Sequence, residues 1–556
     1  MRTIYRQFKE AALKYKRRPI VHFKRQSRWR SMNYLNFLKR VDQLAEGFRG
    51  LGVEKGGRVV IMSENGPDWL ASDLALNKLG AISVPIHTTS HKPLINFILA
   101  DSMSGFFIVS ENCLKKHQET ICEIAGKVKT IICHRQEGLR EDYGKDFIDF
   151  DNLLTGSAGA ESRLEELSSL IYTSGTTGDP KGVILTNENF LSNAYAALEK
   201  ITVYPSDVFL SFLPLSHVLE RLAGNYIPIL SGASIAYATS IKELPKCLKE
   251  VKPTIFIGVP KIYENSYEKI INEVEKSNVL IKKLFYSSLN FKSPRLVKII
   301  AEGILYKKIR KSFGGRLRFS ISGGASINER VIKFFRKIGI KIIEGYGLTE
   351  TSPIVTVNLL ENFHMGTVGQ PLPGVEVKIG EDKEILVRGK NVMRGYWNNP
   401  GATGEAITED GWFKTGDLGF LDREKFLTII GRKKEIIVTS NGKNISPEKV
   451  EAIINLNPLI SQCLVVGHKK PFLTCLIVPD KEKIAARAGE TLSLNEVIEK
   501  EIEMINNHLM SHERVRKVAI IDAPFSIDEG ELTPTLKVRR SVIEHKYKKV
   551  IERIYN

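Results

Sequence analysis

The chain has 556 residues, 42% apolar and 26% charged, an ordinary balance for a soluble globular protein and enough length for two or more buried cores. Its 81 Lys and Arg against 63 Asp and Glu give a net charge of +18, which suits anionic partners (nucleic acid, anionic lipid or a polyanionic cofactor) or a proteome that is simply basic. No apolar run reaches the ~18 residues that cross a bilayer, no secretory core follows the first basic residues, and neither C-x-x-C nor H-E-x-x-H spacing occurs, so reduced thiols in a cytoplasmic enzyme without a zinc site are expected.

From Arg2 to Arg40 there are thirteen Lys or Arg and one acid, Glu10, mixed with aromatic residues. Peripheral attachment of this segment to an anionic membrane, at its inner face, is expected. From Ser31 to Leu51 apolar residues recur at threes and fours (Leu35, Leu38, Val41, Leu44, Phe48), which predicts a helix with one buried face. Strand-like Arg58 to Met62, a helix over 67–78 carrying Trp69, Leu70 and Leu74, and a strand over 80–85 come next. That rhythm predicts parallel sheets covered by helices. Another αβ unit spans about 92–109, residues 128–133 repeat the strand pattern, and 137–168 is a polar connection.

Residues Tyr172 to Gly182 (YTSGTTGDPKG) concentrate phosphate-binding groups. Gly175, Gly178 and Gly182 let the backbone bend toward an anion; Thr173, Ser174, Thr176 and Thr177 supply hydroxyls, and Lys181 an ammonium. The spacing is not that of a Walker loop. Apolar runs on both sides (170–172 and 183–185) predict that the loop joins two strands, so phosphate would be held without a helix dipole. A polar hairpin with no ligand would read the same way.

An apolar run over 208–213 opens onto Leu-Pro-Leu-Ser-His-Val-Leu-Glu-Arg, residues 213–221. Taken alone, His217 in it reads as a structural histidine, with no carboxylate paired beside it. A strand over 254–259 leads to a lysine-rich helical region, 261–313, whose expected buried positions are Ile270, Ile271, Val274, Leu280, Ile281, Leu284 and Phe285. Leu317, Phe319 and Ile321 alternate as a strand closed by Gly323, Gly324 and Ala325. Ser326 with Glu329 then suggests a capping box for a helix with Val331, Phe334, Phe335 and Ile338 inside. The strand 341–344 runs into Gly345-Tyr346-Gly347-Leu348-Thr349-Glu350, so two ligand-type loops leave the carboxyl ends of neighbouring strands, unless both are plain glycine turns. From Gly366 the texture changes to short strands (375–379, 384–387, 426–430), a small β subdomain containing Thr415-Gly416-Asp417 and ending at Gly431-Arg432. The rest has its own α+β pattern: helices over 447–455 and 494–508, strands over 461–467 and 474–479.

Four of these motifs, the phosphate loop, Tyr346-Gly-Leu-Thr-Glu350, Thr415-Gly-Asp417 and Gly431-Arg432, resemble in order and spacing the signatures of the AMP-forming, adenylate-making enzymes. Leu532-Thr-Pro-Thr-Leu-Lys537 resembles that superfamily's last motif, and its form, with the 213–221 segment and Phe313-Gly-Gly-Arg-Leu-Arg318, is similar to the long-chain fatty acyl-CoA synthetase branch. The resemblance implies an α/β fold: a large N-terminal adenylation domain of parallel-rich sheets covered by helices plus a small β subdomain (1–431), then a small mobile α+β domain (432–556). It implies ATP, Mg2+ and CoA as cofactors, with acyl carrier protein as the alternative acceptor for a long-chain fatty acid. Glu350 and Thr173 would serve the magnesium. Ser174, Gly175, Thr176, Thr177, Gly178 and Lys181 would hold phosphate. Tyr346, with Gly323, Gly324, Ala325, Glu344, Gly345, Gly347 and Thr349, would line the nucleotide site, while Asp417 and Arg432 would meet the ribose. Lys537 would be the catalytic lysine, Lys434 the hinge, and His217 and Arg221 part of an acyl gate. A nucleic-acid-binding protein, suggested by charge alone, would need a recognition module, and none is found.

Overall fold

The computed structural model describes residues 2–134, 147–155, 166–173, 180–290, 292–487, 493–527, 529–533 and 538–555. Among them two large mixed sheets carry most of the chain. In the first, Ile342–Gly347, Phe319–Ser322, Ile255–Gly258, Val208–Ser211, Ser234–Tyr237 and Pro19–Arg25 run parallel in that spatial order. In the second, Leu167–Thr173, Ile82–Pro85, Arg58–Met62, Phe106–Ser110 and Thr130–His134 do the same. Strand Arg58–Met62 is apolar from Val59 onward because both its faces are covered there. Val59 and Ile61 point into the core shared with the first sheet, whereas Val60 and Met62 point into a second, separate core.

Helix Pro67–Leu79 is buried on nearly every side, and Tyr34–Gly50 packs on it. In the latter helix Leu38, Val41, Leu44 and Phe48 are inside as expected, but Leu35 faces outward. The basic N-terminal segment is also part of this core. It opens with helix Ile4–Tyr15, in which Ile4, Tyr5, Phe8, Ala11 and Ala12 are buried. The free N–H groups of its first turn are taken up by Thr3, Asn77 and Asn187. Tyr34 and Phe37 are buried too. Tyr5, Phe8, Tyr34 and Phe37 of the Arg2 to Arg40 segment are thus committed to the interior, while Tyr15, Phe23 and Trp29 are half-buried.

A four-stranded antiparallel sheet comes next, Val375–Ile379, Glu384–Gly389, Phe413–Leu421 and Leu427–Arg432. Beyond it the chain builds a smaller C-terminal domain on the sheet Ile460–Val466, Leu473–Pro479 and Val515–Ile520, with a core on each face. Two expectations need correction. Helix Glu329–Lys337 is capped by Asn328, whose side chain accepts from Arg330 N–H, so Ser326 and Glu329 form no capping box. In the lysine-rich region Val274 and Phe285 are buried, but Leu280 is 77% exposed.

The segment after the 213–221 motif is a π-helical turn, Glu220–Tyr226, with two charged residues side by side in the interior. Arg221 donates to Asp73, to Tyr226 and to the hydroxyls of Ser169 (2.8 Å) and Ser83 (2.7 Å). Its guanidinium is engaged by a buried network that holds helix Pro67–Leu79 to strands Ile82–Pro85 and Leu167–Thr173. Glu220 has no such partner: both carboxyl oxygens lack a hydrogen bond among the described residues. Burial pushes its pKa up to about 8, with Ser211 opposing in small part.

These neighbours predict opposite mutational outcomes. Arg221→Ala strands the Asp73 carboxylate and should cost about 3–5 kcal/mol in urea unfolding. For Glu220 the folded pKa lies above the unfolded one, so unfolding releases a proton and stability falls as pH rises between about 4.5 and 8. Glu220→Gln should remove roughly 3 kcal/mol of that loss between pH 5 and pH 8. Parallel curves for the two proteins would contradict the burial argument.

Candidate active site

The carboxyl ends of the parallel strands in both sheets face one another. Asn65, just past Arg58–Met62, donates to Leu213 C=O (2.6 Å) and accepts from Leu215 N–H (3.0 Å). His87, just past Ile82–Pro85, bonds Ser216 Oγ through Nδ1 at 2.7 Å. Burial, then neighbouring His217, lowers the His87 pKa to about 3, so this imidazole stays neutral. The 213–221 segment, which includes His217, is therefore pinned to the carboxyl ends of strands Arg58–Met62 and Ile82–Pro85. His87 is a site residue that sequence reasoning missed.

The phosphate-type loop joins two antiparallel strands, Leu167–Thr173 and Lys181–Thr186, with Thr173 and Lys181 directly opposite. Ser174, Gly175, Thr176, Thr177 and Gly178 lie outside the described residues. Lys181 Nζ rests 5.0 Å from the centre of the Tyr396 ring, and Tyr396 Oη donates to Glu350 Oε1 at 3.0 Å. Tyr396 gets there because Gly395–Tyr396 adds an edge strand to Lys181–Thr186. Glu350 is placed by a 3-10 turn, Thr349–Thr351, that follows Ile342–Gly347. Burial raises the Glu350 pKa, only partly offset by Tyr396 and other donors. Nothing in the sequence marked Tyr396 except an aromatic residue after glycine in a polar stretch.

A second cluster lies on the same edge. Asp417 and Arg432 are register partners on neighbouring strands, and Arg432 Nε donates to Asp417 Oδ1 at 2.9 Å. Tyr346, from the first large sheet, donates its hydroxyl to Asp417 Oδ2 at 2.8 Å. Burial lowers the Arg432 pKa but Asp417 more than compensates, and the net shift is upward. Each Asp417 oxygen keeps a lone pair for a further donor. The turn at Gly416 has φ +71°, and its N–H donates to Glu384 Oε1 at 2.9 Å. Gly347 must be glycine, since a Cβ there would lie 1.7 Å from Pro353 O.

Gly323 and Gly324 leave the end of Phe319–Ser322 beside Gly345 and Tyr346, because the two strands run parallel with Ser322 opposite Glu344. Glu344 is buried, its Oε2 has no partner among the described residues, and desolvation with nearby Glu329 raises its pKa to about 8. A protonated carboxyl can both donate and accept a hydrogen bond. Among the described residues no three His, Cys, Asp or Glu gather as a metal cage. Glu350, a desolvated carboxylate, instead fits a magnesium ion that takes few protein ligands and most of its shell from phosphate and water. Lys434 is exposed just beyond Arg432. Lys537 lies outside the described residues, between Leu532 and Val538, which pair as an antiparallel bridge.

The profile of the AMP-binding enzyme family matches residues 8–397 of this chain, and that of the AMP-binding enzyme C-terminal domain matches 434–556. The chain belongs to the AMP-binding enzyme family. Among curated relatives of this AMP-binding enzyme, the long-chain-fatty-acid–CoA ligase FadD15 of Mycobacterium bovis is 35% identical, over 95% of this chain and 93% of that protein. The long-chain-fatty-acid–[acyl-carrier-protein] ligase AEE15 of Arabidopsis thaliana is 29% identical over 94% and 83%. In fold the chain is similar to the adenylation domain of a carboxylate reductase from Mycobacterium chelonae (TM-score 0.85, 20% identity, 100% and 91% covered). It is also similar to the o-succinylbenzoate coenzyme A synthetase of Bacillus subtilis in complex with AMP (TM-score 0.71, 22%, 96% and 97%).

If Asp417 is the nucleotide anchor, Asp417→Asn should weaken AMP binding about ten-fold or more, the scale of a hydrogen bond to a charged group. Glu350→Gln should leave AMP affinity within about two-fold, since that carboxylate serves the metal. Calorimetric titration with AMP reads both, and equal losses would detach Asp417 from the nucleotide.

Proposed function

We propose that this AMP-binding enzyme is a long-chain fatty acid–CoA ligase, forming acyl-AMP from fatty acid and ATP and then passing the acyl group to CoA. The observation that carries the reading is the pair of clusters, Lys181–Tyr396–Glu350 and Tyr346–Asp417–Arg432, meeting at the carboxyl edge of the sheets. The substrate and acceptor are taken from the names of relatives similar over nearly the whole chain. The acyl carrier protein reading is favoured by one of them and by the +18 charge, which suits an acidic carrier as well as it suits CoA.

In the first half-reaction two anions meet and pyrophosphate departs, so the chain must supply fixed positive charge and donors. Lys181 stands at the base of the phosphate loop, and the face of the Tyr396 ring keeps it there. Tyr396 also holds Glu350 in place. Bound magnesium would screen phosphate charge, with Glu350 as its carboxylate ligand and Thr173 beside it. Asp417 accepts from the ribose hydroxyls while Arg432 steadies it; Tyr346 and the Gly323–Gly324 turn flank the adenine, and Glu344 faces its polar edge. His217 stands near the acyl entrance. Lys537, carried by the domain 432–556, bridges carboxylate and phosphate oxygens. Movement about Lys434 then takes it away so that a thiol can reach the acyl carbonyl.

A pyrophosphate-release panel across acyl chain lengths, with CoA or acyl carrier protein as acceptor, tests the assignment. Turnover should peak with long chains and need CoA; strict dependence on carrier protein would favour the second reading. Lys537→Ala should slow adenylation by about 10²–10³. It should leave thioester formation from synthetic acyl-AMP near the parent rate. Equal loss in both steps would defeat the domain-alternation part of the proposal.

A further inference from the structure

Between strands Ile255–Gly258 and Phe319–Ser322 the chain makes a helical detour longer than a crossover requires. Helix Pro260–Glu275 covers the body, with Tyr267 packed on Phe334 at 4.9 Å between ring centres. The remainder of the detour, helices Val279–Leu289 and Arg295–Ala301, a π turn Glu302–Tyr306 and helix Lys307–Ser312, is held from beneath. Phe285 and Ala301 are buried, and Ser288 and Tyr306 share a buried hydrogen bond of 2.8 Å. The outer side shows Val279, Leu280, Leu296, Ile299, Ile300 and Ile304 to water, Leu296 being 67% exposed. The last four recur at helical spacing and so form one stripe. Isolated exposed aliphatics are ordinary, but a stripe of them is not.

The same detour is strongly basic. From Lys276 to Lys311 there are ten Lys or Arg and one acid, Glu302, which is paired with Arg310. Lys283, Lys292, Arg295, Lys307, Lys308 and Lys311 are exposed around the stripe. A second copy of this chain would have to press these like charges together. Nucleic acid would use the charge but leave Leu and Ile wet. A lipid surface takes both: the aliphatics enter the boundary of headgroup and acyl chain while the ammonium groups meet anionic headgroups. No helix among the described residues is long and apolar enough to cross a membrane, so the contact would be interfacial. We propose that the exposed face of residues 279–311 docks this enzyme on an anionic lipid bilayer.

Co-flotation of the full chain with vesicles of phosphatidylcholine alone, or mixed with phosphatidylglycerol, tests this independently of activity. The parent protein should float with the mixed vesicles only, and less as salt rises. The combination Lys283→Gln, Lys307→Gln and Lys308→Gln should lower partitioning by about a hundred-fold, at roughly five-fold per lysine lost. Leu296→Ser with Ile299→Ser, Ile300→Ser and Ile304→Ser should lower it about ten-fold or more while the melting temperature stays put, because these side chains are already in water. Arg17→Glu with Arg28→Glu, in the basic N-terminal segment, should change it little. The proposal is overturned if the parent does not float, floats equally with neutral vesicles, or is unaffected by both sets of changes. A doubled mass in solution that the serine variant abolishes, without vesicle binding, would assign the face to a second copy instead.

Discussion

One buried carboxylate, Asp417, ties the end of strand Ile342–Gly347 to the four-stranded sheet. A carboxylate away from water must be compensated, and here compensation comes from two directions: Arg432 through strand register and Tyr346 from the end of a strand in another sheet. The nucleotide-site loop of the large sheet is thereby locked to the four-stranded sheet. Glu384 reinforces the same corner by accepting from Gly416 N–H and pairing with Lys433 at 3.0 Å. Since Arg432 also begins the exit into the C-terminal domain, the ribose position and the start of the proposed moving part are set by one ion pair. Such pairs contribute more to unique placement than to stability, because desolvation offsets much of their attraction.

How much of the fold was legible in the sequence depended on how local the signal is. The run Arg58 to Met62 needed only its own composition to be read as a strand, and helix 329–337 only the spacing of its apolar residues. The cap of that helix was misassigned because Ser326 and Asn328 both carry capping side chains, and only the backbone direction chooses between them. Strand Phe413–Leu421 escaped notice because its interior holds Thr415, Gly416 and Asp417, residues of turns rather than strands. The first helix was obscured differently: Ile4, Phe8 and Ala11 have helical spacing, but Lys and Arg on the outer face dominate the composition.

The site divides along the same line. Tyr346, Asp417 and Arg432 stood in recognisable motifs, and the structure brings them within hydrogen-bond reach. Tyr396 and His87 act through partners far away in sequence, Glu350 and Ser216, and no local pattern could announce them. The partner of Arg221 was equally hidden: its acceptor Asp73 lies on helix Pro67–Leu79, and burial of an ion pair across two elements has no signature in either segment. The lysine-rich detour misled too, since Leu280 has core chemistry and a solvent address.

The two carboxylates of the site are treated differently, and the difference suits the proposed chemistry. Asp417 has a permanent cation built against it, so its charge is balanced before any ligand arrives and its free lone pairs are presented in fixed positions. Glu350 accepts from the neutral hydroxyl of Tyr396, and although a backbone donor and the charge of Arg432 also favour its ionised form, burial outweighs them and raises its pKa. A carboxylate left short of positive charge gains most from a cation that comes with the nucleotide, because a metal ion restores what burial removed. A built-in arginine at Glu350 would have stabilised the empty site and weakened that gain. In the proposed reaction such a carboxylate would make metal binding and nucleotide binding depend on each other, as a reaction between two anions requires.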